Sequence, residues 1–201
     1  MSAPEATASA LEPEDEARAA IYGLIARLFY APPDRGVLGQ ILNSNAFEGG
    51  GDSAALAWRA LVEACRTAFP VVLENEHTEL FIGTGKAEIT PYLTHYVILY
   101  ATDNPLVELR QQFARWGIAR QQNANEPEDH IAGVCEAMRF AIAVQHRSLE
   151  EQKSFFNRFI YKGATAFCDA VSASGKASFY ALVARFARAF FEVERNAFEM
   201  V

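Results

Sequence analysis

The chain has 201 residues, a formal charge of −7, 51% hydrophobic residues and 12% aromatics. That composition excludes a disordered chain, and a domain of this length can bury roughly 70% of its unfolded surface without a metal or disulfide staple. No run nears the roughly 18 apolar residues of a spanning helix. The first residues also lack the basic and apolar regions of a secretory signal, so a membrane or secreted protein is not expected.

The acidic balance argues against a nucleic-acid partner. Glu5, Glu12, Glu14, Asp15 and Glu16 fall at the start of the chain with no base among them. The remainder is therefore close to neutral, and the charge says little about a cationic partner. Cys65, Cys135 and Cys168 are isolated and form no CxxC pair. They read as small buried hydrophobes in a reducing cytoplasm.

Residues 1–13 are Ala-, Ser- and Pro-rich and are expected to form a disordered tail ahead of one all-α domain spanning 14–201. The first helix starts near Glu14, with Ile21, Leu24, Ile25, Leu28 and Phe29 on one face, and stops at Ala31-Pro32-Pro33. A short helix follows around Val37–Leu42, then a Gly-rich loop over 43–52. Ser53 is the expected cap of a helix to about Phe69, with Leu56, Ala60, Leu61 and Ala64 inward. Pro70 interrupts it. Residues 71–82 form the next helix, with Val72, Leu73, Glu76 and Leu80 as its stripe. Leu93–Tyr100 is rich in strand formers, but no second strand offers a partner, so helix is predicted there too.

Pro105 opens a helix to Trp116, which Gly117 closes. Asn123–Asn125 forms a polar loop. Glu126-Pro127-Glu128-Asp129 then begins a helix whose inner face is Ile131, Val134, Met138 and Ile142, with Pro127 at its first position. Two more helices cover Leu149–Tyr161 and Ala164–Val171. The last carries the strongest periodicity in the chain, through Phe179, Leu182, Val183, Phe186, Phe190 and Val193. The total is about nine or ten helices, with no solenoid repeat.

No GxSxG, P-loop, GxGxxG or HExxH motif is present, and no two of His77, His95, His130 and His146 lie four apart. No metal, cofactor or hydrolytic centre is therefore expected. Gly83-Thr84-Gly85-Lys86 follows a helix rather than a strand, so it is not read as a phosphate loop. Two segments remain. Glu76 to Gly85, followed by Pro91-Tyr92-Leu93-Thr94-His95-Tyr96, reads either as a helix stop over core Leu80 and Phe81 or as a groove wall with an aromatic floor. Glu126-Pro127-Glu128-Asp129-His130 reads as a helix start, which leaves an imidazole beside acids unexplained.

Leu80-Phe81-Ile82-Gly83, then Pro91-Tyr92 with Tyr96, then Glu126-Pro127-Glu128-Asp129-His130, in an all-α chain of this length, resembles the TorD/DmsD/NarJ family. These are maturation chaperones of molybdoenzymes, and the resemblance runs from about residue 17 to 200. It implies an all-helical, non-catalytic, cytoplasmic chaperone of anaerobic respiration. Such a protein binds the apo catalytic subunit of a molybdopterin-containing oxidoreductase and its twin-arginine leader peptide, assists cofactor insertion and delays export. Carried over by position, Leu80 and Phe81 match the leader-contacting pair, with Gly83 closing that segment. His77 lies where some members place a Trp. Pro127, Asp129 and His130 match the hinge-and-groove motif. An apolar groove from Leu80, Phe81, Tyr92 and Tyr96, beside Pro91, would take the leader's apolar stretch, and Glu126, Glu128 and Asp129 its arginines. Leu93 and Thr94 depart from the small or acidic residue and Ser of many members. A monomer is expected, with an exchanged-segment dimer as the alternative. The competing readings are a helical metal-dependent, hydrolase-type enzyme using His77, His130 and nearby carboxylates such as Glu79 and Asp129, and a helical adaptor unrelated to molybdoenzymes.

Overall fold

The first helix begins where Ala, Ser and Pro give way to charge. In the computed structural model, which describes residues 11–44, 46–47, 50–83, 87–98, 104–119 and 126–200, α1 runs Pro13–Tyr30 with Glu14, Asp15 and Glu16 in its first turn. Acids there favour the positive end of the helix dipole. Leu11, ahead of the helix, packs on the core. Residues 1–10 lie outside the described residues. Ala31, extended ahead of Pro32, stops α1.

Asp34 caps α2, Arg35–Leu42, through Val37 N at 2.9 Å. Asp52, one residue before the expected Ser53, caps α3, Ser53–Thr67, through Ala55 N at 2.8 Å. The buried face of α3 is Ala54, Ala55, Trp58, Leu61 and Cys65. Leu56 and Ala60 point outward, because Trp58 docks against Phe186 and its larger area sets the rotation of the helix.

Helix α4, Pro70–His77, continues into a π-helical turn, Thr78–Ile82. Gly83 ends the turn at φ 65°, donating to Thr78 O at 2.7 Å, a conformation that suits glycine. Of the expected stripe, Leu73 and Leu80 are buried and Val72 is exposed. Leu93–Tyr96 is a single 3-10 turn rather than a longer helix, and Leu99 and Tyr100 lie outside the described residues. Helix α5 is Pro105–Arg115, with Gly117 beyond it at φ 65°.

Helix α6 is Ile131–Ala143. Helix α7, Leu149–Phe155, opens with a Ser148/Glu151 capping box and passes through a π-helical turn, Phe156–Ile160, directly into α8, Tyr161–Ala173. The two helices expected over 149–171 are thus one continuous rod. Helix α9 is Phe179–Glu199. The described residues contain no β-strand, and none of their helices is long and apolar enough to cross a membrane.

Helix α1 packs along α6, while α9 packs on α3 and α8. Phe29, Phe81, Phe167 and Tyr180 join the α1, α8 and α9 layers through edge and tilted ring contacts. The expected inner face of α6 is buried throughout. On α9, Val193 is exposed and Glu194 is buried instead, held by Arg18 and Tyr22 of α1.

Candidate functional site

Two short backbone hydrogen bonds create the site. Leu93 N donates to Asp129 O at 2.8 Å and Ile131 N to Pro91 O at 2.9 Å, so Tyr92 and His130 form an isolated antiparallel bridge. The Pro91–Tyr96 and Glu126–His130 segments are therefore neighbours. Thr94 donates its hydroxyl to Asp129. The Tyr92 hydroxyl donates to Glu126 at 2.7 Å; burial, then the Glu126 carboxylate, pushes its pKa up to about 12.

The 126–130 segment is a turn before α6, not its first turn. His130 is the N-cap, its Nδ1 accepting from Ala132 N at 3.1 Å. Pro127 therefore precedes the helix by several residues. A side chain at Gly133 would bring Cβ to 3.2 Å from Glu128 O, so a glycine there lets the turn fold back against α6. On the other flank, a Cβ at Gly163 would sit 2.9 Å from Leu93 O, which lets the 3-10 turn seat on α8. Glu128 pairs with Arg110 of α5 at 3.0 Å.

The 126–130 turn and the start of α6 form one wall of a groove of about 490 Å³, mostly apolar, completed by Ala26 and Tyr30 of α1, Phe113 of α5 and Ile118 beyond it; Pro91 and Tyr92 brace the turn but are not part of the lining. Tyr30 is 57% exposed at its mouth and meets the His130 ring edge-on at 6.3 Å. Tyr92 approaches the same ring at 5.8 Å. Glu126, Glu128 and Glu136 supply acid along the lining. Asp129 is not part of that lining; it is buried and turned to Thr94.

The remaining expected residues lie elsewhere. Leu80 has no exposed surface and Phe81 is 8% exposed; both face the core, where Phe81 meets Phe29 and Tyr180. Truncating Leu80 would report on core packing rather than on the groove. Tyr96 packs on Phe167 and donates to Thr90 O at 2.9 Å. Gly83 closes the π turn, and its neighbours Thr84 to Lys86 lie outside the described residues. The sequence reading did not find Tyr30, Gly133 or Glu136. The one available signal was Tyr30 itself, an aromatic off the apolar stripe at the point where α1 ends.

His77 is buried between Phe81 and Tyr180, with neither ring nitrogen hydrogen-bonded. Burial lowers its pKa, and the Phe29 backbone opposes this only in part. A folded pKa below the unfolded one means stability is complete above about pH 6.5 and declines as the pH falls through the folded value. Replacing His77 with Phe is expected to leave stability at pH 7.5 intact and to make the decline between pH 6.5 and 5 shallower. Thermal melts of both proteins across that range check this; parallel curves would contradict it. Among the described residues no three His, Cys, Asp or Glu side chains are placed to hold a metal ion.

Residues 51–169 match the family profile described as nitrate reductase delta subunit. The chain belongs to this family. It is the family of TorD- and NarJ-type redox-enzyme maturation chaperones. The chain is 27% identical over 139 residues to the chaperone protein TorD of Photobacterium profundum, covering 59% of this chain and 64% of that one. It is 23% identical over 137 residues to the chaperone protein TorD of Vibrio cholerae serotype O1, covering 63% and 62%. The matched part thus spans less than two thirds of these relatives. The crystal structure of a candidate redox enzyme maturation protein from Archaeoglobus fulgidus superposes with a TM-score of 0.57 at 17% identity, covering 94% of this chain and 99% of that one. That likeness establishes the all-α TorD-like fold.

Proposed function

We propose that this chain is a non-catalytic cytoplasmic chaperone. It binds the apo catalytic subunit of a molybdopterin-containing oxidoreductase, together with that subunit's twin-arginine leader, holds it for cofactor insertion and delays its export. The observation that supports this reading most is the apolar groove lined by Glu126, Pro127, Glu128 and His130, a turn that the Tyr92–His130 bridge braces from behind, in a chain of this family. An apolar groove of this size suits a hydrophobic peptide segment. Glu126 at its edge suits a guanidinium, which pairs with carboxylates in a fork. Glu128 and Glu136 are already paired with Arg110 and Arg139, so Glu126 is the better partner for an incoming arginine. Among the described residues, its hydrogen-bond partner is the neutral Tyr92 hydroxyl.

The test is affinity purification of the tagged full chain from its native cells under anaerobic respiratory growth, with mass spectrometry of what co-elutes. One large molybdoenzyme catalytic subunit is expected, at near-stoichiometric amount. Recovery of unrelated proteins alone, with that subunit present in the lysate, would overturn the reading in favour of a general adaptor.

A further inference from the structure

His130 does two jobs with two nitrogens. Nδ1 accepts the Ala132 N–H at 3.1 Å and so caps α6. An acceptor needs a free lone pair, so the proton of the neutral ring sits on Nε2. Nε2 makes no hydrogen bond among the described residues and is not one of the sealed orphan atoms. The ring itself lines the groove, while the residue is only 5% exposed. The ring cannot turn without giving up the cap, and Tyr30 and Tyr92 stand edge-on against it. The groove therefore offers a directed N–H donor in a largely apolar setting, where a hydrogen bond gains strength and an unmet one costs most.

We propose that His130 acts as a fixed, neutral Nε2–H donor that holds a main-chain carbonyl of the bound peptide, and that protonating the ring destroys this arrangement. The inference rests on the peptide-binding reading above and assigns His130 a role in it that differs from attracting arginine. Its occupant is a peptide segment with a carbonyl left free by its own secondary structure. A cationic ligand alone would find a donor there and be refused.

Protonation would place a hydrogen on Nδ1, facing the Ala132 N–H. The cap is then lost, and a cation sits at the positive end of α6. Tyr30 of α1 and Tyr92 of the bridge contact the ring, and His77 of α4 and Glu126 and Asp129 of its own turn act on it through their charge. Arg27 of α1 and Glu128 and Glu136 also line the groove. Burial lowers the His130 pKa; the carboxylates of Glu126 and Asp129 oppose it, and His77 adds to it. The neutral form thus prevails above about pH 6.5, and the loss sets in below that value.

The experiment uses the full chain and a fluorescent synthetic peptide with two consecutive arginines followed by an apolar stretch. Affinity is measured from pH 8 to 5 for the wild type, His130→Asn and His130→Gln. Asn places an acceptor where Nδ1 was and is a good N-cap, but cannot reach the Nε2 position; Gln reaches it but caps poorly. Wild-type affinity is expected to be flat above about pH 6.5 and to fall below it. His130→Asn should keep the wild-type melting temperature, bind about tenfold more weakly at pH 7.5 and lose the His130-dependent acid fall. His130→Gln should retain more affinity than His130→Asn while melting lower. Nitrogen-15 shifts of the peptide-free protein should show the Nε2–H tautomer. Wild-type-like affinity in His130→Asn, an unchanged acid fall in that variant, or the Nδ1–H tautomer overturns the proposal while the peptide-binding reading stands. No wild-type binding at pH 7.5 overturns both.

Discussion

Replacing Glu194 with Ala is expected to lower the unfolding free energy by about 3–5 kcal/mol and the melting temperature by roughly 10 °C. The Glu194 side chain is 3% exposed and that of Arg18 is 12% exposed. Arg18 meets both carboxylate oxygens, Nε to Oε1 at 2.8 Å and Nη2 to Oε2 at 2.9 Å. The Tyr22 hydroxyl adds a third bond at 2.9 Å, and Asp15 holds the far side of the guanidinium at 2.7 Å. Burial works to lower the Arg18 pKa, but the hydrogen bond and charge of Glu194 outweigh it and hold the group charged. Removing the carboxylate leaves that charge and the buried Tyr22 hydroxyl without their partner.

The cost of the single change is mostly this stranded polarity rather than the net worth of the pair. A double variant, Arg18→Met with Glu194→Leu, is therefore expected to recover a large part of the loss. Urea unfolding of the three proteins decides it. A loss under about 1 kcal/mol for Glu194→Ala would mean the pair is solvated as surface pairs are, and the α1–α9 clasp would not be a main support of the fold.

Glu76→Ala is expected to cost about 2–3 kcal/mol, and Glu76→Gln about half as much, because the amide keeps one acceptor oxygen and gives up the charge. Glu76 Oε1 accepts from Ser178 N and Tyr180 N, both at 2.8 Å, and Oε2 from Phe179 N at 3.2 Å. These are the open donors at the start of α9, the longest helix described, where Ser178 itself makes no side-chain cap. A carboxylate from α4 thus caps a helix about a hundred residues later. It also favours the positive end of the helix dipole. Hydrogen exchange at Ser178, Phe179 and Tyr180 should accelerate in the Ala variant ahead of global unfolding. Unchanged exchange at those amides would show that water caps the helix as well as Glu76 does.

Local chemistry determined much of this molecule. The apolar spacing of Phe179, Val183, Phe186 and Phe190 sets the buried face of α9, and Ile131, Val134, Met138 and Ile142 do so for α6. The Pro32-Pro33 stop, the helix-opening Pro105 and the glycines at 83 and 117 follow from backbone preferences that act over a few residues. The motif segments 91–96 and 126–130 were also legible, as exceptions to simple helix punctuation.

What only the tertiary structure decided involves partners far apart in the chain. Periodicity put Val193 inside, but Glu194 takes that place because Arg18 and Tyr22, on another helix, supply its hydrogen bonds. Leu56 was expected inward, but docking of Trp58 on Phe186 turns α3 away from it. Helix rules placed Pro127 in the first turn of α6. The pairing of Pro91 with Ile131 instead delays the helix, and His130 becomes its cap. That same pairing separates Asp129, turned inward to Thr94, from Glu126 on the groove. A carboxylate's spacing along the chain cannot show which way it faces; the hydrogen bonds available in the folded protein decide that.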